Sequence, residues 1–317
     1  MVLDRRFIDD ASLLDRSITS VIEEYLMTCK LDKKSPTTVS SYQRRLRDLC
    51  KFLVNNRLPL DITEITVRHI RYYLTDMIER KNRYGQVLSS VTISGYYRSL
   101  HSFFKWTVDE GYIKRSPMDL INPPQLPKLR PQPFSQQDID NILTLCDGHA
   151  FIHVRNKAMV LTFLDTGLRL AEMTSIIMAN LNIDTGLIKI LGKGAKERTV
   201  RIGVTTRKAL LKYLRYRDDR YSQLWQTEER RPMTRNGIQI TMSRLCKRAE
   251  ITDARCGPHT FRHTFATMAL RNNAGEFNVQ TLLGHSTLTM TRRYVESMQS
   301  ERALAAHESF SPVDRMH

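Results

Sequence analysis

Four short segments hold the side chains with the most chemistry in them. They are Thr166-Gly167-Leu168-Arg169-Leu170-Ala171-Glu172, Gly192-Lys193-Gly194, His259-Thr260-Phe261-Arg262-His263, and Leu283-Gly284-His285 followed by Arg293-Tyr294. Taken singly, each has an ordinary reading: a surface arginine, a solvated lysine in a turn, a packed tyrosine. His259 and His263 lie four apart on an expected helix, which can be metal-ligand spacing. No acidic residue lies between them, however, and Arg262 would repel a cation, so no metal site is expected. Taken together, the set suits a phosphodiester. That group carries one negative charge, and attack by an oxyanion builds a more highly charged trigonal-bipyramidal phosphorane. Guanidiniums suit such charge because they offer planar, paired donors. Donors placed for the transition state can each matter by orders of magnitude in rate. A tyrosine ordinarily ionises near ~10. If Tyr294 were to attack such a group, it would have to lose its proton as it did so, or be activated by neighbouring positive charge.

In chain order Arg169, Lys193, His259, Arg262, His285 and Tyr294 read as Arg…Lys…His-x-x-Arg…His…Tyr. The intervals from Arg169 to Lys193, His259 to Arg262, Arg262 to His285 and His285 to Tyr294 are 24, 3, 23 and 9 residues. With the flanking words T-G-L-R-x-x-E, G-K-G-x-K-E-R, H-x-x-R-H-T-F-A-T and L-L-G-H, the sequence resembles the tyrosine recombinase (phage integrase-like) family. It is most similar to the two-domain, Xer-like members, and the resemblance spans nearly the whole chain. It implies a helical, SAM-like core-binding bundle ahead of an α-rich catalytic domain with a small β-sheet. The activity implied is site-specific DNA recombination through a 3′-phosphotyrosine. Chromosome dimer resolution and mobile-element integration or excision both fit.

Beside the resemblance, each residue has a physical reading. The resemblance makes Tyr294 the nucleophile and implies a 3′-phosphotyrosine and a free 5′ hydroxyl as products. Arg169 and Arg262 bind the phosphoryl oxygens. His259 is the candidate base, or a hydrogen-bond partner of the phosphate. Lys193, on a glycine-rich turn and preferred to Lys196, is a flexible cation that can protonate the leaving 5′ oxygen. His285 hydrogen-bonds a nonbridging oxygen, and His263 is structural. Glu172, one helical turn after Arg169, either orients a guanidinium or is a surface i,i+3 partner. The ester retains the bond energy, so rejoining needs neither ATP nor a metal. No cofactor is expected, and the sequence has no G-x-x-x-x-G-K-[ST] loop. Two alternatives use the same features differently. One is a topoisomerase or hairpin-forming resolvase. The other is a DNA-binding or architectural protein with an inactive recombinase-like site.

Helices must position these groups. Residues 17 to 115 carry apolar stripes at steps of three and four. They are Ile18, Val21, Ile22, Tyr25 and Leu26; Val39, Tyr42, Leu46, Leu49 and Leu53; Ile65, Ile70, Tyr73, Leu74, Met77 and Ile78; and Ile93, Tyr97, Leu100, Phe104 and Val108. Four helices with short connections make a bundle, so residues 1–115 are expected to form one domain. Six prolines in residues 116–134 predict an extended linker. Residues 135–317 are then the catalytic domain, with a subunit-docking tail. Ser135-Gln136-Gln137-Asp138 opens that domain as a capping box. A helix over about 155–165 and a new start near Arg169 follow. Leu187–Leu191 and Thr199–Ile202, around the polar turn Gly192–Glu197, predict a β-hairpin. Further helices are expected at about 206–220, 235–249, 259–271, 277–283 and 287–298. The fold class is mainly α with a small β-sheet.

The 317-residue chain has a net charge of +16 and a pI near 9.8, a balance that suits a polyanionic partner. Expected DNA contacts are Arg44, Arg45 and Arg47 on the second helix, and Arg235, Arg244, Lys247 and Arg248 on the 235–249 helix. Lys33, Lys34, Arg68 and Arg71 likewise fall on faces opposite the apolar stripes. The partner is a double-stranded recombination site. The resemblance adds a homotetramer or heterotetramer on two duplexes, with the tail beyond Tyr294 docking on a neighbour. The five cysteines form no C-x-x-C pair, so reduced thiols in a cytoplasm are expected. The acidic N-terminal residues are unlike a signal peptide, and no run of about 18 apolar residues suggests a membrane span. The expected location is the cytoplasm, at the nucleoid.

Overall fold

Serines open the helices of the N-terminal part. In the computed structural model, which describes residues 15–81, 85–126, 132–192, 197–284 and Ser311, Ser17 accepts from the Ser20 amide to start α1 (Ile18–Leu31). Ser35 does the same for the Thr38 amide at α2 (Pro36–Asn55). Pro36 costs nothing there, because the first helical N–H has no intrahelical acceptor. Thr66 precedes α3 (Val67–Glu79), and Ser89 caps α4 (Ser90–Asp109). The inward stripes meet in one core, where Val21, Cys29, Leu46, Leu49, Leu53, Ile70, Tyr73 and Phe104 are fully buried. Buried tyrosines keep a partner for the hydroxyl, as such groups must. Tyr73 donates to Asp48 at 2.8 Å, and Arg80 bridges Asp48 and Asp76.

Two stripe positions differ from expectation. Ile78 is 59% exposed, because α3 already buries Ile70, Tyr73, Leu74 and Met77 and residue 78 lies a further step round the helix. On α4 the inner face passes through Phe103 and Thr107, leaving Val108 only partly buried.

The chain divides into two units, residues 1–128 and 129–317. The proline-rich stretch is not free chain at its two ends. Met118 is buried in the first unit, Tyr97 Oη donates to the Ile121 carbonyl at 2.7 Å, and Arg71 Nη2 donates to the Leu120 carbonyl at 3.0 Å. Phe134, at the other end, is buried in the second unit. It stacks edge-on against Phe261 at 4.9 Å, and its amide donates to Thr264 Oγ1.

In the second unit, α5 (Gln136–Thr144) opens on the Ser135–Asp138 capping box. The central helix is α6 (Phe151–Thr166), buried nearly all round. Such a helix has no polar stripe, so its extent is hard to read from periodicity. A short α7 (Leu170–Thr174) follows, then β1 (Leu181–Asn182), β2 (Leu187–Leu191) and β3 (Glu197–Arg201) in an antiparallel sheet of order β1-β2-β3. Ile188, Ile190 and Val200 point into the core. Strand β3 starts earlier than expected: Glu197 pairs with Leu191 and Arg198 with Ile190, which puts both in the ladder rather than in the turn. Beyond the sheet come α8 (Val204–Leu214), α9 (Arg235–Arg248), α10 (Pro258–Arg271) and α11 (Glu276–Leu283). Helix α8 ends short of residue 220 because Arg217, nearly buried, folds back on the carbonyls of Tyr221 and Gln223. The expected helix at 287–298 lies outside the described residues.

Candidate active site

The last carbonyls of a helix have no intrahelical donor and carry the negative end of its dipole. At the end of α11 three consecutive carbonyls are met by three different arginines. Arg198 Nε donates to Leu282 at 3.0 Å, Arg262 Nη2 to Leu283 at 2.8 Å, and Arg169 Nη2 to Gly284 at 3.0 Å. These arginines come from β3, from α10 and from the residue capping α7. The helix closes on Gly284 in the left-handed region, φ 62° and ψ 48°. The next residue in the chain is His285, outside the described residues.

A second glycine closes the arrangement from the other side. Gly167 ends α6 at φ 59° and ψ 26°, and its carbonyl accepts from Arg262 Nη1 at 2.7 Å. A Cβ at Gly167 would lie 2.4 Å from Phe265 Cδ1 and 2.7 Å from Leu283 Cδ2. Gly167→Ala therefore adds backbone strain to a clash within the cluster. Its expected cost is about 2 kcal/mol or more in urea unfolding; an unchanged midpoint would refute this account of Gly167.

Glu172 is the counter-charge. It is 4% exposed, on α7. Its Oε1 accepts from Arg169 Nη1 at 2.9 Å and Arg198 Nη1 at 2.8 Å. Its Oε2 accepts from the Arg169 amide at 2.8 Å and Arg198 Nη2 at 2.9 Å. Of the two roles the spacing left open, the geometry takes the orienting one. Burial alone would raise the carboxyl's pKa, but the bonds from Arg198 and from Arg169 outweigh it and hold the pKa at about 2. A carboxyl depressed in the folded state adds stability that is full above its unfolded pKa and lost as pH falls toward the folded one. The window is the acid range down to about pH 2, and the contribution is about 3 kcal/mol. Glu172→Gln is expected to be less stable than wild type at pH 6, with the gap narrowing as the pH falls to 2.5. A gap independent of pH would contradict the ion-pair account.

Three arginines against one carboxylate leave the pocket cationic. His259 sits on the first turn of α10, with an open face to solvent. The protein around it, then the charges of Arg262, Arg255, Arg235 and Arg169, push its pKa below the usual histidine value. At neutral pH the imidazole is therefore neutral and keeps a lone pair, as an acceptor or base needs.

The expected site residues thus fall into groups. Arg169, Glu172, His259 and Arg262 come together. Lys193, His285 and Tyr294 lie outside the described residues. Arg235 is exposed at the start of α9, close enough to bear on His259. Arg244, Lys247 and Arg248 are exposed further along α9. On the N-terminal unit Arg44 and Arg47 are exposed. Arg45 is not a free outward charge: it donates to Ser99 Oγ at 3.0 Å and lies over the Tyr96 ring, in space kept open by Gly95. It belongs to the contact between α2 and α4. Arg198 is the residue that the sequence reading passed over, although it closes the word G-K-G-x-K-E-R. Its pairing with Ile190 carries it out of the polar turn. His263 is buried. Among the described residues no three His, Cys, Asp or Glu side chains gather where a metal could sit, and no helix is long and apolar enough to cross a membrane.

Known proteins resemble the chain in sequence and in fold. Residues 132–301 match the model of the phage integrase family, and residues 22–111 that of the phage integrase N-terminal SAM-like domain. The chain is 31% identical over 286 residues to the tyrosine recombinase XerC of Lactobacillus delbrueckii subsp. bulgaricus, covering 87% of this chain and 94% of that protein. It is 28% identical over 299 residues to the tyrosine recombinase XerD of Oceanobacillus iheyensis, covering 92% and 98%. Its fold is similar to that of the XerH site-specific recombinase in a post-cleavage complex with palindromic difH substrate, with a TM-score of 0.72, 18% identity and coverage of 91% and 84%. It is also similar in fold to lambda integrase (residues 75–356), crystallised as a dimer on a COC′ core site, with a TM-score of 0.70, 15% identity and coverage of 86% and 97%.

Proposed function

The chain belongs to the phage integrase family of tyrosine recombinases, and on that premise we propose that it cleaves and rejoins DNA at a specific site through a phosphate ester on Tyr294. The observation that carries this reading is the meeting of Arg169 and Arg262 on the adjacent carbonyls of Gly284 and Leu283. Bonds to adjacent carbonyls of one helix end hold the two guanidiniums beside each other. A scissile phosphate there gains charge on its nonbridging oxygens as Tyr294 attacks, and fixed donors stabilise that charge without reorganising. His259, neutral, accepts or relays the tyrosine proton. Lys193 protonates the departing 5′ oxygen, and His285 donates to a nonbridging oxygen. The resulting 3′-phosphotyrosine is reversed by another strand's 5′ hydroxyl.

Residues 1–115 act as the core-binding domain and 135–317 as the catalytic domain, joined through the proline-rich stretch. Exposed Arg44, Arg47, Arg244, Lys247 and Arg248 supply phosphate contacts, which bring affinity and little sequence information. Four subunits on two duplexes form the active assembly, in the cytoplasm at the nucleoid.

The test is to map covalent protein–DNA adducts on the native replicon, then to cleave a nicked duplex carrying the mapped site. A discrete site with protein on the 3′ phosphate is expected, and adduct formation should persist in excess chelator. Random adducts, or a 5′ linkage, would overturn the reading; full dependence on Mg²⁺ would refute metal-free attack.

A further inference from the structure

Arg169 holds its guanidinium by two bonds, to Glu172 Oε1 and to the Gly284 carbonyl. Arg198 touches the support at both ends. It grips Glu172 with a two-pronged fork at 2.8 and 2.9 Å. Its Nε donates to Leu282, two residues before Gly284. Its guanidinium also lies so close to Gly284 that a Cβ there would come within 3.2 Å of Nη1. Every nitrogen of that guanidinium is engaged with protein, and its side chain is only 15% exposed. It is therefore placed to hold other groups rather than to touch DNA.

We propose that Arg198 is a positioning residue for strand cleavage, setting the Arg169 guanidinium through Glu172 and the α11 terminus; this rests on the recombinase reading above. The physical reason is that Glu172 is shared. With Arg198 present, its two oxygens are each divided between two donors, so the carboxylate cannot turn to meet Arg169 alone. Without Arg198, Oε1 is left with Arg169 Nη1 and Oε2 with the Arg169 amide alone, so the carboxylate can turn and draw the Arg169 guanidinium inward, away from the phosphate. A buried carboxylate with one partner also takes up a proton more readily. An arginine fork fits this task and a lysine does not, because a single ammonium cannot bridge both oxygens in one plane.

The test uses the full-length protein and a nicked duplex carrying the mapped cleavage site. Arg198→Ala, Arg198→Lys, Glu172→Gln and the double variant Arg198→Ala/Glu172→Gln are compared in single-turnover cleavage at saturating protein. Binding is measured by gel shift and folding by thermal melting. Arg198→Ala is expected to cleave about 100-fold more slowly, the scale of a misplacement of about 1 Å, while binding changes little. Arg198→Lys should recover only part of the rate. The double variant should be no slower than the slower single, since both act on one link. If Arg198→Ala does not fold, Arg198→Lys carries the rate comparison. A folded Arg198 variant with wild-type rate, or an additive double variant, would overturn the proposal. Absence of an adduct with wild type would instead overturn the recombinase reading.

Discussion

Tyr294→Phe is expected to bind its duplex as the wild type does and to leave no covalent adduct on a nicked substrate. The change removes one oxygen, and with it the only atom of that side chain able to form a phosphate ester. No step in the chemistry survives that loss, so the yield should fall by at least about 10⁴-fold. Binding should persist because affinity for a duplex comes from many phosphate contacts, and this chain carries a net charge of +16 to make them. Electrophoresis in denaturant, with labelled DNA, separates the two outcomes. An adduct that survives the substitution would mean another nucleophile and would sink the assignment.

The second large effect is at Arg262, where chemistry and architecture coincide. Its side chain is buried and donates to Gly167 and to Leu283, so it clips the end of α6 to the end of α11. Arg262→Ala is expected to lower cleavage by about 10³-fold, the upper range for a lost transition-state donor. It should also cost about 2–3 kcal/mol in stability, because two carbonyls lose their donors. Arg169→Ala separates the two roles. That side chain is 35% exposed, so its loss should cut cleavage by about 10²-fold or more with a smaller cost in urea unfolding. Most binding should remain. If Arg169→Ala loses binding and cleavage equally, Arg169 is a general DNA contact. If Arg262→Ala leaves stability unchanged, the clip between α6 and α11 is not what holds the pocket.

Much of the frame was legible because helix stripes are local. Tyr73 and Leu100 declare their faces by the spacing of their neighbours. The hairpin declares itself by β-branched and apolar residues around a glycine-rich turn. Errors fell where a local rule met a tertiary partner. Ile78 completes an apolar stripe in sequence, yet it lies a step beyond the face of α3 that Ile70, Tyr73, Leu74 and Met77 bury. Arg45 looks like an outward arginine beside Arg44, yet the absent side chain of Gly95 on α4 makes room for it inside. Such a vacancy lies 50 residues away and leaves no mark on the local pattern.

What the sequence determined by itself is the set of reacting groups and their order. Side-chain chemistry is intrinsic to each residue, and Arg169, His259, Arg262 and Tyr294 announce a phosphoryl-transfer inventory wherever the chain places them. Only the tertiary structure decided what supports them. Glu172 could have been a surface partner of Arg169. It is instead a buried carboxylate shared with Arg198, 26 residues on, and Arg198 in turn reaches Leu282, 84 residues further. Bonds across such separations depend on how β3, α7 and α11 pack, and no local periodicity encodes that. The same packing brings three arginines to one helix end, where the carbonyls of Leu282, Leu283 and Gly284 need donors and the helix dipole favours positive charge.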